Sequence, residues 1–151
     1  MKKLTQLVVL FAISLAFSCS SDDGGDSVSG DPIVGKWKFM SSTENGVPLV
    51  LDACDLMETS TFNANGTFIA EDYELENGNC VLQSFNEPGL TVDLKWVKIA
   101  NNSYEIKFIV NGVESPFKLS MTTVFSNNNN TVTTTATEED GDVVVSVLQK
   151  M

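Results

Sequence analysis

Twenty acidic residues against nine lysines, with no arginine and no histidine, give this 151-residue chain a formal net charge of −11. So acidic a chain repels phosphate backbones and anionic headgroups, which argues against nucleic-acid binding and against electrostatic adhesion to a membrane. The missing histidine removes the commonest acid–base group at neutral pH, and no Gly-x-Ser-x-Gly elbow is present.

At the amino end, Lys2 and Lys3 precede an apolar run over residues 7–17. Its length fits the roughly 7–15 residues of a signal-peptide core and falls short of the roughly 20 that span a bilayer. Ser18 supplies a small residue before Cys19, so residues 1–18 are expected to be a signal peptide and Cys19 the site of lipid attachment. With Ser20, Ser21, Asp22 and Asp23 behind the cysteine, the stretch resembles the lipoproteins of the Bacteroidota. That resemblance implies a lipid-anchored place at the outer membrane, with an acidic export tag toward the cell surface, so the membrane would be a partner through lipid alone. Residues 19–31 are serine, glycine and aspartate with one valine, a flexible tether with a reach of about 20 Å. Loss of Lys2 and Lys3 with the signal would take the formal charge to −13.

The folded part, residues 32–151, reads as strands. Candidates in chain order are 36–43, 58–63, 67–75 and 80–86, separated by Asn-Gly pairs at 45–46, 65–66 and 77–78. Next, Leu90, Val92, Leu94 and Trp96 alternate with polar residues, and Tyr104, Ile106, Phe108 and Val110 repeat the pattern. Asn111-Gly112, the preferred type I′ pair, leads into a run with Phe117, Leu119, Met121 and Phe125. Candidates 131–138 and 142–149 complete eight or nine strands, and Pro48 and Pro116 suit strand ends or edges. Short strands with regular turns indicate an all-β barrel or sandwich. Once Cys19 is assigned to lipid, Cys54 and Cys80 remain as an even pair, which outside the cytoplasm reads as a disulfide. The alternative is a two-cysteine metal site completed by carboxylates.

Gly35 and Trp37, in Ile33-Val-Gly-Lys-Trp-Lys-Phe39, resemble the Gly-x-Trp opening of lipocalins and of lipocalin-like lipoproteins of the Bacteroidota. Cys54, the hairpin through Asn65-Gly66, and Cys80 resemble the continuation of that pattern. The resemblance implies a small antiparallel up-and-down barrel of about eight strands, with Trp37 plugging its closed end. In larger lipocalins an arginine lies across this tryptophan; here only Lys150 could substitute.

An eight-stranded barrel is either filled by side chains or just wide enough for one small ligand. Trp96, Tyr104, Phe108 and Met121 would line such a cavity or belong to the core, and short strands favour a filled interior. Glu71, Asp72, Glu74 and Glu76 cluster in sequence and raise a carboxylate-pair hydrolase, but a solvated strand face is the simpler account. Residues 138–142 read as an acidic turn rather than a calcium loop. The expectation is therefore a non-enzymatic envelope protein with no catalytic residues, metal or cofactor, binding a small apolar ligand. The alternative is a filled barrel serving as a structural or protein-interaction module, with its protein partner not specified by the sequence.

Overall fold

A computed structural model describes residues 30–138 and 140–151. The signal peptide, Cys19 and most of the tether lie outside the described residues. The strands are β1 (Gly35–Glu44), β2 (Val47–Pro48), β3 (Thr59–Phe62), β4 (Thr67–Glu71), β5 (Tyr73–Glu76) and β6 (Asn79–Leu82). They continue with β7 (Val92–Ala100), β8 (Ser103–Val110), β9 (Val113–Ser126), β10 (Thr131–Thr137) and β11 (Val143–Lys150).

Every strand pairing is antiparallel, and β11 pairs with β1 as well as β10, so eight strands close into a barrel. The barrel order is β1, β3, β4, β7, β8, β9, β10, β11, with β2 added to the edge of β1. The hairpin of β5 and β6 stands apart from it. This is the all-β up-and-down barrel that the strand rhythm and the Gly-x-Trp start led one to expect.

The turns explain the order. Asn45-Gly46, Asn77-Gly78 and Asn111-Gly112 all take left-handed dihedrals at both positions, the type I′ geometry whose twist matches antiparallel strands. Asparagine tolerates that region better than other residues with a Cβ, and Asn127, Asn128 and Asn129 adopt it in succession to turn β9 into β10.

Two expectations need correction. The run 67–75 is not one strand: β4 ends at Glu71, the chain leaves the barrel wall at Asp72, and residues from Tyr73 form the outlying hairpin. The Asp72 carbonyl accepts the Gln83 N–H at 2.8 Å, and the disulfide between Cys54 and Cys80 holds that hairpin to the segment before β3. The candidate 80–86 correspondingly ends at Leu82. Pro48 does sit on a two-residue edge strand. Pro116 lies inside β9, where β10 does not pair with it and the ladder to β8 slips from Lys107 opposite Lys118 to Ile109 opposite Glu114.

The core follows from alternation. Ile33, Trp37, Phe62, Trp96, Tyr104, Ile106, Met121, Val132 and Leu148 form one buried cluster inside the barrel. In β1 the alternation slips at Met40, which bulges between Phe39 opposite Leu148 and Ser41 opposite Val147. Met40 stays outward, where it is exposed, and the extra residue shifts the phase so that Ser42, otherwise outward, is brought in and buried.

Candidate functional site

The closed end of the barrel is built from two tryptophans and a tyrosine. Trp37 is fully buried, and its indole N–H donates to the Ile33 carbonyl at 2.7 Å. Lys150, at the end of β11, brings its Nζ to 4.9 Å from the centre of the Trp37 ring and donates to the Pro32 carbonyl at 3.2 Å. It thus takes the cationic position that an arginine holds in the resemblance. Gly35 makes room for this arm: its φ is +137°, and a Cβ there would fall 2.7 Å from Lys150 Cε.

Trp96 donates its indole N–H to the Asn63 carbonyl at 2.8 Å and packs against Phe62 and Tyr104, ring centres 5.8 and 5.9 Å away. The Tyr104 hydroxyl donates to Asp31 Oδ1 at 2.6 Å, Lys98 Nζ donates to Asp31 Oδ2 at 2.7 Å, and the Ile33 N–H completes the set at 3.0 Å. Burial pushes the Asp31 carboxyl up, but the bonds from Lys98, Tyr104 and the Ile33 N–H outweigh it and hold the group below its ordinary value. Burial and the Asp31 contact push the Tyr104 hydroxyl up. Asp31, which composition assigns to the end of the tether, is therefore a working part of the fold.

Above this plug lies a lumen cavity of about 190 Å³. Its apolar lining comes from Trp37 and Phe39 of β1, Phe62 of β3, Ile106 of β8, Leu119 and Met121 of β9, Val132 of β10 and Leu148 of β11, with Ile33 beneath. Ser60, Thr134 and Ser146 add hydroxyls, and no lining residue is charged. Ser146 belongs to a row in which Ser42, Ser146, Thr134 and Thr123 stand opposite one another across four neighbouring strands. The Ser42 and Ser146 hydroxyls share a hydrogen bond of 3.0 Å. The interior is thus neither wholly filled nor an open calyx.

The residues singled out from sequence divide. Met121 lines the lumen cavity. Trp96 and Tyr104 are buried below it in the plug, and Phe108 lies farther along β8, packed on Phe117 with ring centres 5.0 Å apart. The alternation that selected them was right about the inward face and silent about height along the axis. Ile106 and Leu119 share that inward alternation and were within reach of it. Phe39 precedes the bulge at Met40, and Ser146 lies in the nearly unbroken apolar run of β11, so neither carried a clean signal.

At the rim, Glu58 and Asp72 flank the last paired residues of β3 and β4, where Thr59 stands opposite Glu71. Partial burial, followed by the charges of Asp72, Asp55 and Asp52, pushes the Glu58 carboxyl up to about 7; burial also raises Asp72. Glu71 differs from both: bonds from Lys36, at 2.7 Å, and from Thr59 hold its carboxyl low. Glu74 and Glu76 lie on β5 in the separate hairpin, so the run of acids is divided between two sheets. Next to this rim Cys54 and Cys80 form the expected disulfide, with Cα atoms 5.2 Å apart.

The wall has two seams. β4 and β7 pair only through Thr67 opposite Lys95 and Phe68 opposite Leu94, and beyond them opens a cavity of about 640 Å³ beside residues 83–86. β9 and β10 pair no farther than Met121 opposite Ala136, and the space beyond, about 530 Å³, is lined by Phe117, Lys118, Leu119, Thr137, Glu138 and Asp140. Leu119 lines both this seam and the lumen, so it stands between them.

No protein-family model matches the chain, and no curated protein matches it either. The architecture and the disulfide thus stand on the fold itself, while the lipocalin resemblance stands on Gly35, Trp37 and the cysteine-framed hairpin. Chemically, the lumen offers an uncharged apolar volume with hydroxyls on part of its wall, an arrangement suited to holding a small neutral molecule.

Proposed function

We propose that this protein is a lipid-anchored, non-enzymatic, lipocalin-like component of the cell envelope, held at the outer membrane through Cys19, whose lumen takes up a small apolar molecule. The observation that carries the ligand half is the uncharged cavity of about 190 Å³ inside a closed barrel. A dry apolar cavity of about 150 Å³ accepts benzene, so this volume suits a ligand of roughly six to ten non-hydrogen atoms. The lumen hydroxyls would orient one polar atom of such a ligand, and the apolar wall would supply most of the affinity.

The anchor half rests on the lysine pair, the apolar run and the small residue before Cys19. Its acidic charge gives the chain no attraction of its own to an anionic bilayer, so the lipid supplies the attachment.

Native mass spectrometry of the protein from its own host tests the ligand. A co-purified mass of a small organic molecule is expected, lost in a Met121→Trp variant that fills the lumen. A clean apo mass under gentle conditions would instead favour a structural or protein-interaction module. Metabolic labelling with a fatty-acid analogue tests the anchor: the wild type should take up label, and a Cys19→Ala variant that kept it would remove the lipidation claim.

A further inference from the structure

The two seams differ in how their unpaired strand edges are treated. Beyond Met121, the free edge of β9 carries Pro116, Lys118 and a register slip against β8. Proline, lysine and bulges are the usual devices that stop another strand from adding to an edge. The edge at β2 is only Val47–Pro48 and ends in proline. β4, Thr67–Glu71, carries no proline, lysine or bulge: it reads Thr-Phe-Ile-Ala-Glu, Ile69 is half exposed, and its cleft side is open as far as Asp72, whose carbonyl takes the Gln83 N–H.

Hydrogen-bond phase shows what the β4 edge offers. The Asn63 N–H donates to the Thr67 carbonyl, so odd-numbered residues of β4 turn their backbone groups to β3 and even-numbered ones turn theirs to β7. The Trp96 N–H donates to the Gly66 carbonyl, so even-numbered residues of β7 face β4. After Phe68 and Leu94, the next groups in line are those of Ala70 and Val92. The Val92 N–H is taken by Asn86 Oδ1 at 2.7 Å, a side-chain oxygen standing where a strand carbonyl would stand. The N–H and carbonyl of Ala70 and the carbonyl of Val92 have no strand partner among the described residues. Phe68, Ala70, Val92 and Leu94 share one face of the cleft, and Ile69, Asp93 and Lys95 share the other.

We propose that the seam between β4 and β7 is a strand-addition site for an extended peptide segment of another protein, one that alternates apolar with polar residues and lacks acidic side chains. Main-chain bonds to Ala70 and Val92 would supply the ladder. Every second side chain would rest on the apolar face. The net charge of −11 disfavours a second copy of this chain and acidic segments alike, which selects a neutral or basic partner.

The test uses the isotope-labelled protein and a panel of synthetic hexapeptides, capped at both ends, that alternate valine, isoleucine or phenylalanine with threonine and lysine. In the free protein the Ala70 amide should exchange with solvent about 100-fold faster than that of Phe68, its paired neighbour. A binding peptide should slow Ala70 at least about tenfold and leave the amides of β9 unchanged. Ile69→Lys, which copies the guard residue of the other seam at an exposed position, should keep the thermal midpoint and weaken the peptide at least about tenfold. The proposal is overturned by an Ala70 amide as protected as Phe68 in the free protein, or by a panel in which no peptide binds at millimolar concentration. Binding that bypasses Ala70 or ignores Ile69→Lys overturns it equally. None of these outcomes bears on the lumen, which the native mass measurement tests separately.

Discussion

At the closed end of the barrel, Trp37 and Tyr104 are fully buried, Trp96 nearly so, and each polar atom they carry has a partner: Ile33, Asp31 and Asn63 in turn. At the open end two strand pairings stop short, Phe117 and Phe85 remain exposed, and Glu58 and Asp72 hold carboxyls pushed up by burial. The contrast teaches where this chain spends its packing. Buried packing is concentrated at the closed end, and the rim keeps the unpaired backbone and the carboxyls raised by burial.

Four perturbations sharpen that contrast, and the first tests the closed end directly. Trp37→Ala should lower stability by about 3–5 kcal/mol in denaturant unfolding, a large share of the roughly 5–15 kcal/mol of a whole domain. A loss under about 1 kcal/mol would mean that the plug is not the stability centre. At the open end, replacing Cys54 and Cys80 together with alanine should cost up to about 3.5 kcal/mol by the loop-entropy argument. If hydrogen exchange shows the hairpin of β5 and β6 loosening while the barrel strands stay protected, the ends are energetically separate.

Asp31→Ala should cost about 2–3 kcal/mol by leaving the Tyr104 hydroxyl and Lys98 without their acceptor. Its pH signature is specific. Because folding lowers the Asp31 pKa below its ordinary 3.8, its contribution is complete above that value and is lost as pH falls through the lower folded value. The variant should therefore lack this part of the acid-side decline in thermal midpoint.

Glu58→Gln should have the smallest effect and the opposite sign. Folding raises the Glu58 pKa from about 4.5 to about 7, so the stability tied to its protonated form is complete below pH 4.5 and is lost as pH rises through about 7. The wild type should weaken across that window by about 1 kcal/mol after solvent screening, and the glutamine variant should stay flat. Chemical unfolding at pH 5 and pH 8 decides it, and equal slopes for both proteins would remove Glu58 from the account.

Much of the closed end was legible in the sequence because its signals are local. Leu94-Lys-Trp96 and Tyr104-Glu-Ile106 alternate cleanly, and Trp37 with Gly35 marks the first strand. Even the role of Lys150 could be anticipated, since no arginine was available for it. The rim was less readable because long-range contacts decide it. Thr67 to Leu75 looks like one strand, and what breaks it is a disulfide and a bond from Gln83 to Asp72. Asp31 reads as tether by composition, yet partners 67 and 73 residues away bury it. Glu58 sits outside the acidic run at 71–76, and although Asp52 and Asp55 are its sequence neighbours, only the fold buries it and brings Asp72 close enough to perturb it.

The pairing of β11 with β1 also governs the order in which this molecule can come into being. From Trp37 opposite Lys150 to Glu44 opposite Val144, β1 depends on β11, more than a hundred residues farther along the chain at most of these pairs, and the Met151 N–H itself donates to the Lys36 carbonyl at 2.9 Å. Contacts so distant along the chain form late and slowly. A chain delivered from its amino end therefore cannot close this barrel until β11 has arrived, and until then both β1 and β10 keep an unpaired edge.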